Sequence, residues 1–123
     1  MSQASRPASI RGMADSAHIG FRLSAQRALL GNVSPALRNV SLSVDEGQRK
    51  WRVQFVFTTA ASDYDLDLAC SVVTEIMADF PDWECSEECQ RCDPPAHAER
   101  LEWCIYARSE DDNSRSKKAS LLP

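Results

Sequence analysis

Ser62-Asp63-Tyr64-Asp65-Leu66-Asp67-Leu68-Ala69-Cys70-Ser71-Val72-Val73-Thr74-Glu75-Ile76-Met77-Ala78-Asp79-Phe80-Pro81 reads as the one long helix of the chain, and the fold follows from it. Ser62 suits an N-cap, and Asp65 three residues on completes a capping-box pattern. Asp63, Asp65 and Asp67 put negative charge in the first turn, where the helix dipole favours it. Leu68, Val72, Ile76 and Phe80, with Cys70, Val73 and Met77, outline a wide apolar stripe. Pro81 stops the helix, because it lacks an amide hydrogen and clashes with the preceding turn.

Before this helix come two alternating runs. Val40, Leu42 and Val44 alternate with Asn39, Ser41 and Ser43 within Leu37–Val44. Trp51, Val53, Phe55 and Phe57 alternate with Arg52, Gln54, Val56 and Thr58. Period two marks half-buried strands. Asp45-Glu46-Gly47-Gln48 between them predicts a hairpin turn, with Gly47 supplying the positive φ. The aromatic face of the second strand should meet the long helix. Upstream, Phe21–Leu30 reads as a short helix with Phe21, Ala25, Ala28 and Leu29 on one face and Gly31 at its C′ position.

After Pro81, Trp83–Cys92 reads as a third strand, ended by Pro94-Pro95, and Arg100–Arg108 as a fourth. The order is α-β-β-α-β-β. It predicts an α+β fold, a four-stranded, mostly antiparallel sheet with its helices packed on one face. Residues 1–19 are expected to be a disordered lead, 20–108 a single domain, and 109–123 a disordered tail.

The chain has 123 residues, enough for one core. Its sequence holds no apolar run near the ~20 residues of a membrane span. Residues 1–20 lack the apolar centre of a secretory signal, so a cytoplasmic location is expected. The net charge of −4 hides an asymmetry. Residues 20–59 carry six cations against Asp45 and Glu46, whereas residues 60–102 carry twelve acids against Arg91 and Arg100. So acidic a segment argues against nucleic-acid binding, which requires phosphate neutralisation, and suits a basic protein partner.

Five cysteines are present. Cys85-x3-Cys89-x2-Cys92 shares its spacing with the cluster triplet of radical S-adenosylmethionine enzymes, but the chain is too short for their barrel. Cys85, Cys89, Cys92 and Cys104, or His97 in the fourth place, make a conceivable zinc set. It has only one C-x2-C pair, and free thiols filling core positions explain these cysteines better. Cys104, His97 and Asp93 can be drawn as nucleophile, base and orienter, but without diagnostic spacing. No Gly-rich phosphate loop occurs. The expectation is therefore a non-enzyme with no cofactor and no metal.

The stretch Ala25-Gln26-Arg27-Ala28-Leu29-Leu30-Gly31-Asn32-Val33-Ser34-Pro35-Ala36-Leu37-Arg38-Asn39-Val40 resembles the opening of a family of small bacterial proteins. They share a Leu-Leu-Gly-Asn-Val-Ser/Thr-Pro opening, an alternating hairpin, a helix ending Ala-x-Phe-Pro (here Ala78-Asp79-Phe80-Pro81) and a final pair of strands. Some look like immunity proteins of contact-dependent or polymorphic toxin systems, and their genes also travel in mobile gene cassettes. The resemblance covers residues 20–108 and implies an immunity-type protein; the acidic segment makes a basic toxin, a nuclease in the simplest case, its expected target. The acids Asp63, Asp65, Asp67, Asp82, Glu84, Glu87 and Glu88, with Tyr64 and Trp83 as aromatic anchors, are the candidate partner-binding residues. The alternative is a small-molecule pocket beside Trp51, Trp103 and Cys104. Either version fits a monomer or a homodimer.

Overall fold

The computed structural model describes residues 17–110. Six elements follow the chain: α1 (Ala17–Leu29), β1 (Leu37–Asp45), β2 (Lys50–Phe57), α2 (Asp63–Asp79), β3 (Glu84–Arg91) and β4 (Trp103–Ala107). The order α-β-β-α-β-β is the expected one. The helix α1 begins at Ala17, so residues 17–19 are helical although the sequence suggested a disordered lead. The rest of that lead and most of the C-terminal tail lie outside the described residues.

The long helix starts as its sequence dictates. The Ser62 side chain accepts from the Asp65 amide, and the Asp65 carboxylate accepts from the Ser62 amide at 2.7 Å, a complete capping box. Its buried stripe is narrower than expected and slightly rotated. Ala69, Val72, Val73 and Ile76 are buried, Leu66 and Phe80 pack against the core, and Cys70 and Met77 face outward. A flat sheet plus a neighbouring helix can cover only part of a helix circumference.

The sheet order is β3-β2-β1-β4. The hairpin pair β1/β2 and the pair β1/β4 are antiparallel, while β2/β3 is parallel. The sheet is thus mixed rather than mostly antiparallel. The reason is that α2 connects strands that lie side by side, and a helical crossover returns the chain in the same direction. Both helices contribute to one core with the inner face of the sheet. It contains Phe21, Ala25 and Leu29 from α1, Val72 and Ile76 from α2, and Val40, Leu42, Trp51, Val53, Phe55 and Phe57 from the strands. Phe21 is its hub. Its ring stacks on Phe80 at 3.8 Å, lies 5.3 Å from Trp51, and meets Trp83 edge-on at 5.0 Å.

Two local expectations change. In the hairpin turn it is Arg49, not Gly47, that takes positive φ, at 54°. Gly31 does adopt the expected C′ conformation, with φ 80°. In β4 a register shift opposite Val40/Ser41 breaks the period of two, so Trp103, Ile105 and Tyr106 all pack against the core.

The strands β3 and β4 are consecutive in sequence but occupy opposite edges. Their connection must span three inter-strand gaps, about 14 Å. It crosses the sheet face turned away from the helices and is pinned there by side chains of β1 and β2. Gln54 Nε2 donates to the Glu99 carbonyl at 2.7 Å, and Ser41 Oγ accepts from the Leu101 amide at 2.9 Å. Arg38 Nη1 donates to the Cys92 and Ala96 carbonyls at 2.7 and 2.8 Å. Ser41, Gln54, Val56 and Arg38 are consequently buried. The polar side of the hairpin, which its alternation assigned to water, is a second covered layer, in which Ser41 and Gln54 are satisfied by hydrogen bonds to the connection.

Arg38 also forms a two-pronged ion pair with Glu110, Nε to Oε2 at 2.7 Å and Nη2 to Oε1 at 2.8 Å. Arg108 Nε reaches the same Oε2 at 2.9 Å. Glu110 falls in the span expected to be a disordered tail, yet it is fixed to a buried guanidinium.

Candidate partner-binding surface

The acids of residues 60–102 emerge mainly on α2 and on the edge strand β3. Asp63 and Asp67 project from the first turns of α2, and Tyr64 beside them is largely exposed. Asp65 is occupied differently. The Ser62 amide holds its carboxyl below the usual carboxylate range, and that bond commits Asp65 to capping the helix. At the other end of the helix, Asp82 and Glu84 are exposed, and Trp83 is half-buried against Phe21 with the Arg49 guanidinium 5.6 Å from its ring centre. Along β3, Glu87 is exposed, and Glu88 pairs with Arg52 at 2.9 Å across the outer face of the sheet.

These nine residues do not form one patch. A 17-residue helix is about 25 Å long. Its N-terminus lies at the end of β3 where Arg91 Nη2 donates to the Ala61 carbonyl, and its C-terminus leads into the start of β3. The group Asp63, Tyr64, Asp65 and Asp67 is therefore a helix length away from the group Asp82, Trp83 and Glu84. Among the described residues, Asp63, Asp67, Asp82, Glu84 and Glu87 take part in no ion pair, so their charge is presented to whatever approaches. The other α2 acids are engaged. Asp79 accepts from Ser24 Oγ at 2.6 Å and pairs with Arg27, which together lower its pKa, and Glu75 accepts from Asn32 Nδ2 at 3.3 Å.

The cysteines are dispersed. Cys85 is half-buried against the core, Cys70, Cys89 and Cys104 are exposed, and Cys92 is intermediate. Only Cys85 therefore serves as a core substitute. Cys104 lies on β4 and the other three sit on or just after β3, so the zinc set is split between opposite sheet edges. Among the described residues no group of three or more His, Cys, Asp or Glu side chains could hold a metal ion. Burial and Glu87 push the Cys85 thiol up to about 11, and the same causes raise Cys89. Both are shifted away from the thiolate that nucleophilic chemistry needs.

Nor does the structure assemble the set drawn from Cys104, His97 and Asp93. The Asp93 carboxylate accepts from the Thr59 amide at 2.8 Å and hydroxyl at 2.6 Å, which lowers its pKa. Cys104 Sγ accepts from Arg100 at 3.4 Å. A depression of about 390 Å³ opens at the hairpin end of the sheet, lined by residues that include Lys50, Trp51, Arg52, Glu84 and Cys85. Trp103 and Cys104 are not part of it. Trp103 instead lies in a stack under His18 at 4.4 Å, with the Arg22 guanidinium 4.8 Å from its ring.

Some surface residues escaped the sequence reading. Ile19, Leu23, Leu30 and Val33 are exposed around α1 and the loop after it. Their signal was present in the sequence. Ile19 and Leu23 are four apart and lie opposite Phe21, Ala25 and Ala28, so α1 is apolar on two faces.

What the fold and its surfaces define is a small α+β protein that presents charge and apolar side chains on helices and a sheet edge. The family model described as MafI2 immunity protein matches residues 18–110, and the chain belongs to that family. The match takes in the start of α1 and Glu110, beyond the 20–108 span of the resemblance. No curated protein matches the chain.

Proposed function

We propose that this chain is a non-enzymatic immunity protein that binds a basic toxin, a nuclease, in the cytoplasm and blocks its substrate groove. Membership of the MafI2 immunity family carries the reading. The unpaired acids on α2 and β3 support its electrostatic part. A nuclease groove is basic because it holds phosphates, and two acidic patches, Asp63 and Asp67 at the start of α2 and Asp82, Glu84 and Glu87 beyond its end, match such a groove in sign. Steering by these charges raises the rate of encounter, and aromatic anchors slow dissociation.

The test captures the toxin from the host lysate on the tagged chain and then titrates the purified chain against it, with nucleic-acid cleavage and binding affinity both measured. Inhibition at a one-to-one ratio is expected. Reversing Asp63, Asp67, Asp82 and Glu87 to Lys should lower affinity and reduce its dependence on salt. A complex whose affinity and salt dependence survive all four reversals would remove the acidic surface from the account. No complex with the wild-type chain would remove the immunity reading itself.

A further inference from the structure

We infer that the toxin docks on the outer face of the helical layer, on an apolar stripe of α1 that continues through Val33 to Tyr64 and is bordered by acids of α2. The inference rests on the immunity reading above and names the surface that serves it. At 3.6 residues per turn, Ile19 and Leu23 fall within about 40° of one another on the side of α1 opposite its buried face, and Leu30 is exposed in the turn just past the helix end. Leu23 is 59% exposed, Leu30 76% and Tyr64 68%. A helix whose inner face already fills the core gains nothing for its own fold from a second apolar face. Contiguous exposed apolar surface of this kind marks an interaction site.

Contacts between the two helices show that these residues share one surface. Ser24 meets Asp79, Asn32 meets Glu75, and Ser34 lies beside Asp65, so α1 and its following loop climb α2 toward its N-terminus. Leu30 and Val33 lie on either side of Asn32 in sequence, and the path ends at Asp65, the residue after Tyr64. The border on the α2 side is Asp63, Asp67 and Glu75.

Charge selects the occupant. On α1, Arg27 is paired with Asp79, and Arg22 lies over Trp103. Asp63, Asp67 and Glu75 are in no ion pair among the described residues. A second copy of the chain brings the same uncompensated acids to the contact. A toxin face that is apolar at its centre, with lysine or arginine where it meets α2, satisfies both halves of the surface.

The experiment uses the full-length chain and the same toxin in a catalytically inactive form. Its first arm measures affinity for the variants Leu23→Ser/Leu30→Ser and Asp63→Asn/Asp67→Asn. Thermal melting checks their folding, which these exposed positions should leave intact. The leucine pair should weaken binding roughly 30-fold or more with little change in salt dependence, as loss of a central anchor does. The aspartate pair should weaken it less and flatten the salt dependence. The second arm reads solvent accessibility of the Leu23 and Leu30 methyl groups by paramagnetic relaxation in solution. Methyls open in the free chain and shielded in the complex support the docking surface. Shielding in the free chain at every concentration assigns the stripe to the chain's own first residues. Shielding that grows with concentration assigns it to a second copy. Either overturns the inference. Full-strength binding by the leucine pair overturns it while leaving the immunity reading standing, and failure of the wild-type chain to bind removes both.

Discussion

Replacing Glu110 with Gln should destabilise the whole domain, although Glu110 stands at the end of the matched region and carries no core atoms. Its carboxylate neutralises Arg38, whose side chain is only 2% exposed. The hydrogen bonds from Arg38, then those from Arg108, hold the Glu110 carboxyl at about 2, against an ordinary value of 4.5. A difference of that size corresponds to about 3 kcal/mol of folded-state preference for the carboxylate at neutral pH. Glu110 keeps 21% of its side chain in water, so solvent screening trims this to about 2 kcal/mol. Leaving the Arg38 charge buried without its counter-ion acts in the same direction. For a domain of this size the melting temperature of Glu110→Gln should fall by about 10 °C at pH 7.

The pH dependence checks the cause. A carboxyl whose folded pKa is depressed contributes stability above its unfolded pKa and loses it as pH falls toward the folded value. The gap between wild type and Glu110→Gln should therefore be full at pH 5 and above, and shrink steadily as pH falls to 2. Asp65, Asp79 and Asp93 are also shifted down, but both proteins share their contributions. Melting curves followed by circular dichroism across pH 2–7 would measure it. Equal melting temperatures at pH 7, or a gap that stays constant to pH 2, would refute the ion pair as the clamp on this end of the chain.

Three further outcomes are expected. Ser62→Ala removes the side-chain half of the capping box and should cost about 1 kcal/mol in urea denaturation, with the slope unchanged. Gly31→Ala should cost about 1 kcal/mol through backbone strain alone, since φ is 80° and no atom lies within 4 Å of the added methyl group; Gly31→Asn should cost less by the same measurement. Alkylation by iodoacetamide at pH 8, followed by mass spectrometry, should modify the exposed Cys70 and Cys104 well before Cys85, whose thiol is half-buried and sits at about 11.

Much of the fold was legible because it rests on local rules. The Ser62–Asp65 capping box, the stop before Pro81, the Gly31 terminus and the period-two runs of β1 and β2 each need only their own neighbours in sequence. The acidic character of residues 60–102 was equally plain, and so was the family resemblance carried by Leu29–Pro35. The grouping of the candidate acids was not. Which acids stay unpaired depends on distant partners: Glu88 meets Arg52, whereas Glu87 beside it takes part in no ion pair among the described residues.

By itself, then, the sequence determined the element order, the helix boundaries set by capping and proline, and the sign of the charge the chain presents. The tertiary structure decided which strands became neighbours. Placing β3 beside β2 made the sheet mixed and sent the β3–β4 connection across the outer face, which buried Ser41 and Gln54 where alternation had assigned them to water and buried Arg38 with them. It also decided, through a register shift in the β1/β4 pairing, that Trp103, Ile105 and Tyr106 all pack against the core. Local propensity cannot register such choices, because burial depends on what covers a face, and the covering residues here come from 45 to 72 positions away.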